Sequence, residues 1–339
     1  MRAWRVETPA PVDDAPLKAC DLPVPKPGPG EVRLRVLCCG VCHTDVHVAE
    51  GDLPLRSGPV VPGHQIVGVV DARGEGVTGP AVGDRLGVTW LAGACGRCDA
   101  CRSGRENLCP DARFTGWDRD GGYAEYVVAR ADVCVPLPDS IGDEEAAPLL
   151  CAGVIGWRAL KLAGVEKGQR LGLVGFGASA HLVLQIARHR GMEVVVFSRG
   201  KAHRDQALAL GAAWAGGLDD NPDGEPAGCH GIVSFAPVGS VVPGALRHLR
   251  PGGTLAINAV HLTDIPSFPY ELLFGERVLR SVSNVTRRDA EELLALAAQG
   301  VPRSETTAYP FDQANRALAD VKAARLRGQA VLRGPGRSA

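Results

Sequence analysis

The sequence predicts an α/β protein in two parts. A mostly antiparallel, barrel-like β domain covers about residues 1–151. A doubly wound parallel-sheet unit covers 152–285, and 286–339 returns to the first part. Three observations predict this. Apolar and charged residues alternate in short stretches of the first half. Apolar runs alternate with helical patterns in the second. A glycine-rich turn, Gly175 to Ala180, stands between the first strand and first helix of that second half.

Each element has its own signal. In EVRLRVLCC (31–39), Val32, Leu34 and Val36 share one face, and Glu31, Arg33 and Arg35 share the other. That is the period of a half-buried strand. Turn signals crowd this half, including KPGPG at 26–30 and VGD at 82–84. Near residue 152 the pattern changes. RLGLVGFG (170–177) is an apolar run ending in glycines. ASAHLVLQIARHR (178–190) follows, with Leu182, Val183, Ile186 and Ala187 at helical spacing. EVVVF (193–197) reads as a buried strand, KAHRDQALALGA (201–212) as helix and HGIVSFA (230–236) as strand. VPGALRHL (242–249) reads as helix and GTLAINAV (253–260) as strand. Asp289 followed by Glu292 reads as a capping-box-like start to a helix through Ala298.

Charge and composition narrow the function classes. The 339 residues carry 37 Lys+Arg against 38 Asp+Glu, a net charge of −1. That balance offers no electrostatic footprint for a nucleic-acid or membrane partner. The N-terminal MRAWRVETPAPVDDAPLK lacks the apolar core and cleavage site of a secretory signal. No run reaches the ~18 apolar residues of a membrane span, so a cytoplasmic location is expected. The chain has 11 cysteines. An odd count with tight clustering argues for metal over a disulfide framework. Cys20, Cys38, Cys39, Cys134 and Cys229 read as buried small hydrophobes.

The strongest motif is Cys95-x2-Cys98-x2-Cys101-x7-Cys109, in a lobe of about residues 90–112. Four thiolates this close suit a tetrahedral structural zinc, and a full shell leaves no position open for chemistry. Gly93, Gly96 and Gly104 let the lobe wrap around an ion. Unliganded thiols, an iron–sulfur cluster and a nucleic-acid zinc ribbon are the other readings. The neutral charge and the lack of Lys/Arg runs disfavour the ribbon.

Cys42 in GVCHTD, His64 in PGHQIVG and Cys151 form a second candidate set. Two thiolates and an imidazole leave the fourth position of a zinc open, as a catalytic zinc needs. Spacing alone also allows three core residues here. Gly175-Phe176-Gly177-Ala178-Ser179-Ala180 is a GxGxxA turn placed to bring backbone and helix N-terminus to a pyrophosphate. The next strand ends Val196-Phe197-Ser198-Arg199-Gly200-Lys201, with no acid for a ribose diol. A hydroxyl and two cations favour NADP over NAD. Arg199 also reads as an exposed charge at a helix entry.

GVCHTDVH, PGHQIVG, the four-cysteine lobe and the dinucleotide unit occur in an order and spacing that resemble the zinc-dependent alcohol dehydrogenases of the medium-chain dehydrogenase/reductase superfamily. The resemblance runs from about residue 3 to 333. It implies a GroES-like catalytic domain with a Rossmann cofactor domain, and reversible oxidation of a primary or secondary alcohol with hydride transfer to NAD(P). It implies two zinc ions per chain, with Cys42, His64 and Cys151 on the catalytic one. Thr44 resembles the hydroxyl that hydrogen-bonds the alcohol at the metal, and His47 the outer base of a proton relay. Asp45 resembles the carboxylate partner of His64, and His43 the basic residue near the pyrophosphate. Leu53 and Trp90 fall in segments that line the alcohol pocket, and Val282 and Asn284 fall near the nicotinamide. The family pairs Rossmann sheets edge to edge, so residues 261–285 would join a homodimer or homotetramer. One departure is Gln65, where the family usually has glutamate behind the zinc. A metal-free alkene or quinone reductase is disfavoured by the intact ligand set. So is a catalytically silent zinc- and nucleotide-binding protein.

Overall fold

The structure is a computed structural model that describes residues 1–56, 58–222, 227–326 and 328–335. It divides into two compact units. The first takes Met1–Cys151, Asn284–Gln299 and the described residues from 304 onward. The second takes Ala152–Ser283 and Gly300–Arg303. The short return of Gly300–Arg303 differs from the sequence reading, which assigns all of 286–339 to the first part. Its cause is local: Gln185 accepts from the Arg303 N–H at 3.0 Å and donates to its carbonyl at 3.0 Å. Residues 336–339 of the predicted C-terminal segment lie outside the described residues.

The first unit is built on the strand Glu31–Val41. One edge pairs antiparallel with Gln65–Arg73. The other is shared by Tyr126–Arg130 and Gln329–Arg333. Arg85–Val88, Val135–Pro136 and Thr306–Tyr309 complete a seven-stranded sheet, in which Thr306–Tyr309 alone pairs parallel, with Gln329–Arg333. Val32, Leu34 and Val36 are buried, as the alternation predicts. They join Ile66, Val70, Leu86, Leu318 and Leu332 in one core. Register positions the site. Gly40 lies opposite Gln65, so the chain leaving the strand at Val41 and the chain entering at His64 run side by side. Cys42 and His64 therefore meet although 22 residues separate them.

The second unit is a six-stranded, wholly parallel sheet. Its order is Trp214–Gly216, Glu193–Phe197, Arg170–Val174, Cys229–Ser234, Leu249–Ile257, Val278–Ser281. Numbered within the unit, that is 3-2-1-4-5-6, the doubly wound dinucleotide-binding order. The central strands are apolar without alternation because helices cover parallel sheets on both faces. The helices Val154–Ala163, Ala178–His189, Lys201–Ala209 and Val241–Arg247 belong to this unit. Val195, Phe197, Ile232, Leu246 and Leu255 are fully or nearly fully buried.

Two readings change. The helix Arg287–Ala297 is capped by Thr286, not Asp289. The Thr286 hydroxyl accepts from the Asp289 N–H at 3.1 Å, and the Asp289 carboxylate accepts from the Thr286 N–H at 2.8 Å. Asp289 is thus the returning arm of the capping box. Cys20 is only partly buried, while Cys38, Cys39, Cys134 and Cys229 are buried as expected. The helical run Asp143–Ala163 is long and apolar enough to cross a membrane, but 72% of that stretch is buried within the protein.

Candidate functional site

Cys42 ends its strand in extended conformation and opens the helix His43–Glu50. His64 immediately precedes Gln65–Arg73, and Cys151 sits in the π-helical turn Leu149–Gly153. The three elements bring the ligand atoms of Cys42, His64 and Cys151 within 4.8 Å of one another. His64 Nε2 is 3.5 Å from Cys42 Sγ and 3.3 Å from Cys151 Sγ. Tetrahedral zinc with ~2.3 Å bonds to sulfur and ~2.0 Å to nitrogen spaces its ligands about this far apart. The donor set therefore fits the ion.

Asp45 organises the cluster from beneath. It is 1% exposed. Its Oδ2 accepts from the Cys42 N–H at 2.9 Å, and its Oδ1 accepts from the Gly63 N–H at 3.0 Å. The same Oδ1 is 3.3 Å from His64 Nδ1. The imidazole is thereby turned so that Nε2 faces the thiols. Burial pulls the His64 pKa down, but Asp45 and Cys42 outweigh it and raise the value to about 10. The hydrogen bond with Cys151 and burial together push the Cys42 thiol well above its ordinary value. The negative neighbours that raise both groups make surroundings that a dication would satisfy.

The neighbouring residues differ in burial and contact. Thr44 is buried in the first turn of the helix, 7% exposed. His47, one turn on, is partly exposed, with Nδ1 2.8 Å from Asp52 Oδ2. His43 is exposed. Trp90 lies 6.1 Å from the His64 ring. Leu53 and Trp90 pack into one apolar cluster with Val48, Val60, Phe114 and Trp117. Sequence reading misses the last two, although FTGWD (114–118) concentrates aromatics. Arg56 stacks over the Trp117 ring at 3.7 Å and pairs with Asp118 at 3.2 Å. Gln65 is fully buried, and neither amide atom has a hydrogen-bond partner among the described residues.

The second cluster is local. Cys95, Cys98, Cys101 and Cys109 bring four sulfurs within 4.8 Å. The short pairing of Leu91–Gly93 with Arg113–Phe114 closes the base of the lobe. Backbone N–H groups point at the sulfurs: Cys98 N–H to Cys95 Sγ and Cys95 N–H to Cys109 Sγ, each 3.4 Å. The N–H groups of Arg97 and Cys98 lower the Cys95 pKa to about 6, while burial and Cys98 raise Cys101 to about 12. Four sulfurs with N–H donors behind them match a closed tetrahedral site.

In the second unit, Gly175 follows the first strand at φ +83, and a Cβ there would lie 3.3 Å from the Ala236 N. Only glycine turns this tightly against the neighbouring strand. Gly177 begins the helix Ala178–His189, with open space where its side chain would be. Phe176 and Ala180 are buried; Ala178 and Ser179 complete the first turn. Past Phe197, Ser198 is 8% exposed and Arg199 is exposed. Lys201 is engaged elsewhere, pairing with Asp205 at 2.7 Å one helical turn away. Arg204, absent from the sequence reading, donates to the Ser198 and Arg199 carbonyls at 2.9 and 2.8 Å. Val282 continues the sheet by donating to Ile257, in the second unit. Asn284, at φ +50, belongs to the first unit.

Comparison with known proteins agrees with this geometry. Residues 28–139 match the alcohol dehydrogenase GroES-like domain, and 180–299 match the zinc-binding dehydrogenase domain. The chain is 48% identical to "Probable alcohol dehydrogenase AdhA" of Mycobacterium tuberculosis, covering 98% of this chain and 97% of that one. It is 36% identical to an alcohol dehydrogenase of Geobacillus stearothermophilus, covering 94% and 96%. Among solved structures, a cinnamyl alcohol dehydrogenase of Sorghum bicolor superposes with a TM-score of 0.90 at 30% identity, covering 99% and 98%. The chain therefore belongs to the zinc-dependent medium-chain alcohol dehydrogenases, enzymes that move a hydride between an alcohol carbon and a nicotinamide cofactor.

Proposed function

We propose that Cys42, His64 and Cys151 hold the zinc that polarises the alcohol oxygen. Cys95, Cys98, Cys101 and Cys109 hold a second, structural zinc, and NADP is the preferred cofactor. The observation that carries the first assignment is the convergence of three ligand atoms with Asp45 set against the far nitrogen of His64. When bound, zinc supplies Lewis acidity and the nicotinamide accepts the hydride.

The chain's own residues do the remaining work. Asp45 fixes the tautomer and orientation of His64. Thr44 Oγ1 accepts the alcohol proton as its own hydroxyl proton leaves toward His47, which passes a proton to water. Asp52 at Nδ1 leaves the His47 Nε2 for that transfer. Leu53, Trp90 and their apolar neighbours exclude water and suit an aliphatic or aromatic alcohol. Gly175 to Ala180 cradle the pyrophosphate, with His43 as the basic residue nearby. Val282 and Asn284 flank the nicotinamide.

Ser198 and Arg199 receive the 2′-phosphate, and Arg204 stiffens their backbone. Lys201 contributes less directly because Asp205 already pairs with it. The edge strand Val278–Ser281 and the exposed Val260, Tyr270 and Phe274 suit a homodimer or homotetramer contact. Thiolate ligand sets fit a reducing, cytoplasmic location.

The test is steady-state kinetics across a panel of alcohols with both cofactors. NADP should be preferred, and Arg199→Asp should erode that preference roughly tenfold to a hundredfold, the loss of one charge-assisted contact. A preference for NAD in the unmodified enzyme would overturn the cofactor assignment.

A further inference from the structure

The segment Gly121–Tyr123 is laced to the loop that delivers His64. Gly121 N–H donates to Val61 at 2.7 Å, Gly122 N–H to Gly63 at 2.8 Å and Tyr123 N–H to Pro62 at 3.0 Å. The Tyr123 ring packs against Gly63, where a Cβ would come within 2.4 Å of the ring Cδ1. Tyr123 is wholly buried. Packing explains the ring. It does not explain the hydroxyl, since phenylalanine would fill the same space.

That hydroxyl is buried beside the Asp45 carboxylate, the acceptor that helps raise its pKa, and among the described residues it meets full hydrogen-bond geometry with no group. A buried hydroxyl without a partner carries its full desolvation cost. Burial first, and then the charge of Asp45, push the phenol well above its ordinary pKa, so it stays a donor. Asp45 has room to accept. Its two oxygens offer about four lone-pair sites. Cys42 N–H, Gly63 N–H and His64 Nδ1 face three of them. An acceptor with room and a donor whose bond to it is not fully formed thus lie together, both buried, behind the ligand set.

We propose that Tyr123 is a positioning residue whose hydroxyl donates to Asp45 and, through Asp45, fixes how firmly His64 presents Nε2 to the metal. The inference rests on Cys42, His64 and Cys151 being a metal site. It adds a residue outside the ligand set, selected by hydrogen-bond accounting.

The experiment replaces the zinc of the holoenzyme with cobalt and follows the visible cobalt band under challenge by a chelator. Loss of that band in Cys42→Ser identifies it with this site; a band unaffected by Cys42→Ser would refute the underlying metal assignment. Tyr123→Phe keeps the ring and deletes the donor. It should speed cobalt loss by about 3-fold to 10-fold, less than the roughly 10-fold to 100-fold typical of a ligand's direct partner, here Asp45→Asn. In the Asp45→Asn background, Tyr123→Phe should have no further effect. A Cys42-dependent band with unchanged loss rate in Tyr123→Phe would overturn the proposal alone. An equal acceleration with and without Asp45 would also overturn it, because the effect would then be one of packing.

Discussion

Cys95, Cys98, Cys101 and Cys109 all come from one partly exposed lobe, whereas Cys42, His64 and Cys151 are gathered from a strand end, a strand start and a helical turn. The first cluster has short turns and a minimal two-strand base beneath it. On the proposed assignment its metal and its local fold would form together, as in small zinc modules. The second has the register of Glu31–Val41 on Gln65–Arg73 and the buried Asp45 beneath it. On the function proposed above, the difference sets where each metal would act: removing one ion would cost structure, and removing the other would cost chemistry.

The largest expected effect lies at the second cluster. Cys42→Ser should reduce alcohol oxidation to background while the thermal unfolding midpoint stays near that of the parent. Steady-state assays and a melting curve check this together. A large drop in stability would mean that the two clusters do not differ in kind.

A smaller effect should separate the ligand set from its proton path. Thr44→Val deletes a buried hydroxyl and should lower turnover strongly without changing metal content. His47→Gln should cost about 10-fold to 100-fold, the range of a positioned acid–base group. The cost should be greatest at low pH, where water accepts protons poorly. The pH profiles of the parent and both variants are the measurement. Unchanged turnover in Thr44→Val at every pH would remove both residues from the path.

The smallest effect lies in the second unit and serves as a control for acid. His248 is 1% exposed. It accepts from the Ala227 N–H at 3.1 Å through Nδ1, and its Nε2 faces the Leu218 carbonyl at 2.9 Å. Burial lowers its pKa below the ordinary 6.5. The unfolded chain therefore takes up this proton first, so the contribution of His248 is complete above about pH 6.5 and is lost as pH falls through the depressed value. Denaturant midpoints followed against pH should show that decline, and His248→Gln should flatten it. A decline unaffected by the substitution would assign acid sensitivity to another group.

Legibility in the sequence follows the same division. The four-cysteine lobe can be read directly because all its ligands lie within residues 95–109. The parallel sheet is legible because RLGLV, EVVVF and GIVS are buried on both faces and leave uninterrupted apolar runs. Trp214–Gly216 and Val278–Ser281 escape notice because they are short edge strands with partly exposed residues. Cys42, His64 and Cys151 offer a zinc donor set by residue type, but only the resemblance singles them out from core residues, since sheet register, not spacing, joins them. Tyr123 and Arg204 leave no sequence signal of their own. Each acts through a contact that exists once the chain has folded. Lys201 illustrates the reverse: the cation is plain in the sequence, but its pairing with Asp205 is a helical-turn interaction that competes for it.

The central claim is that one chain holds two metals in two different ways, and zinc content per folded chain tests it most directly. Elemental analysis should give two zinc ions for the parent and one for a folded, inactive Cys42→Ser. Cys98→Ser should lose its zinc together with stability and yield. One zinc or none in fully active parent protein would contradict the account.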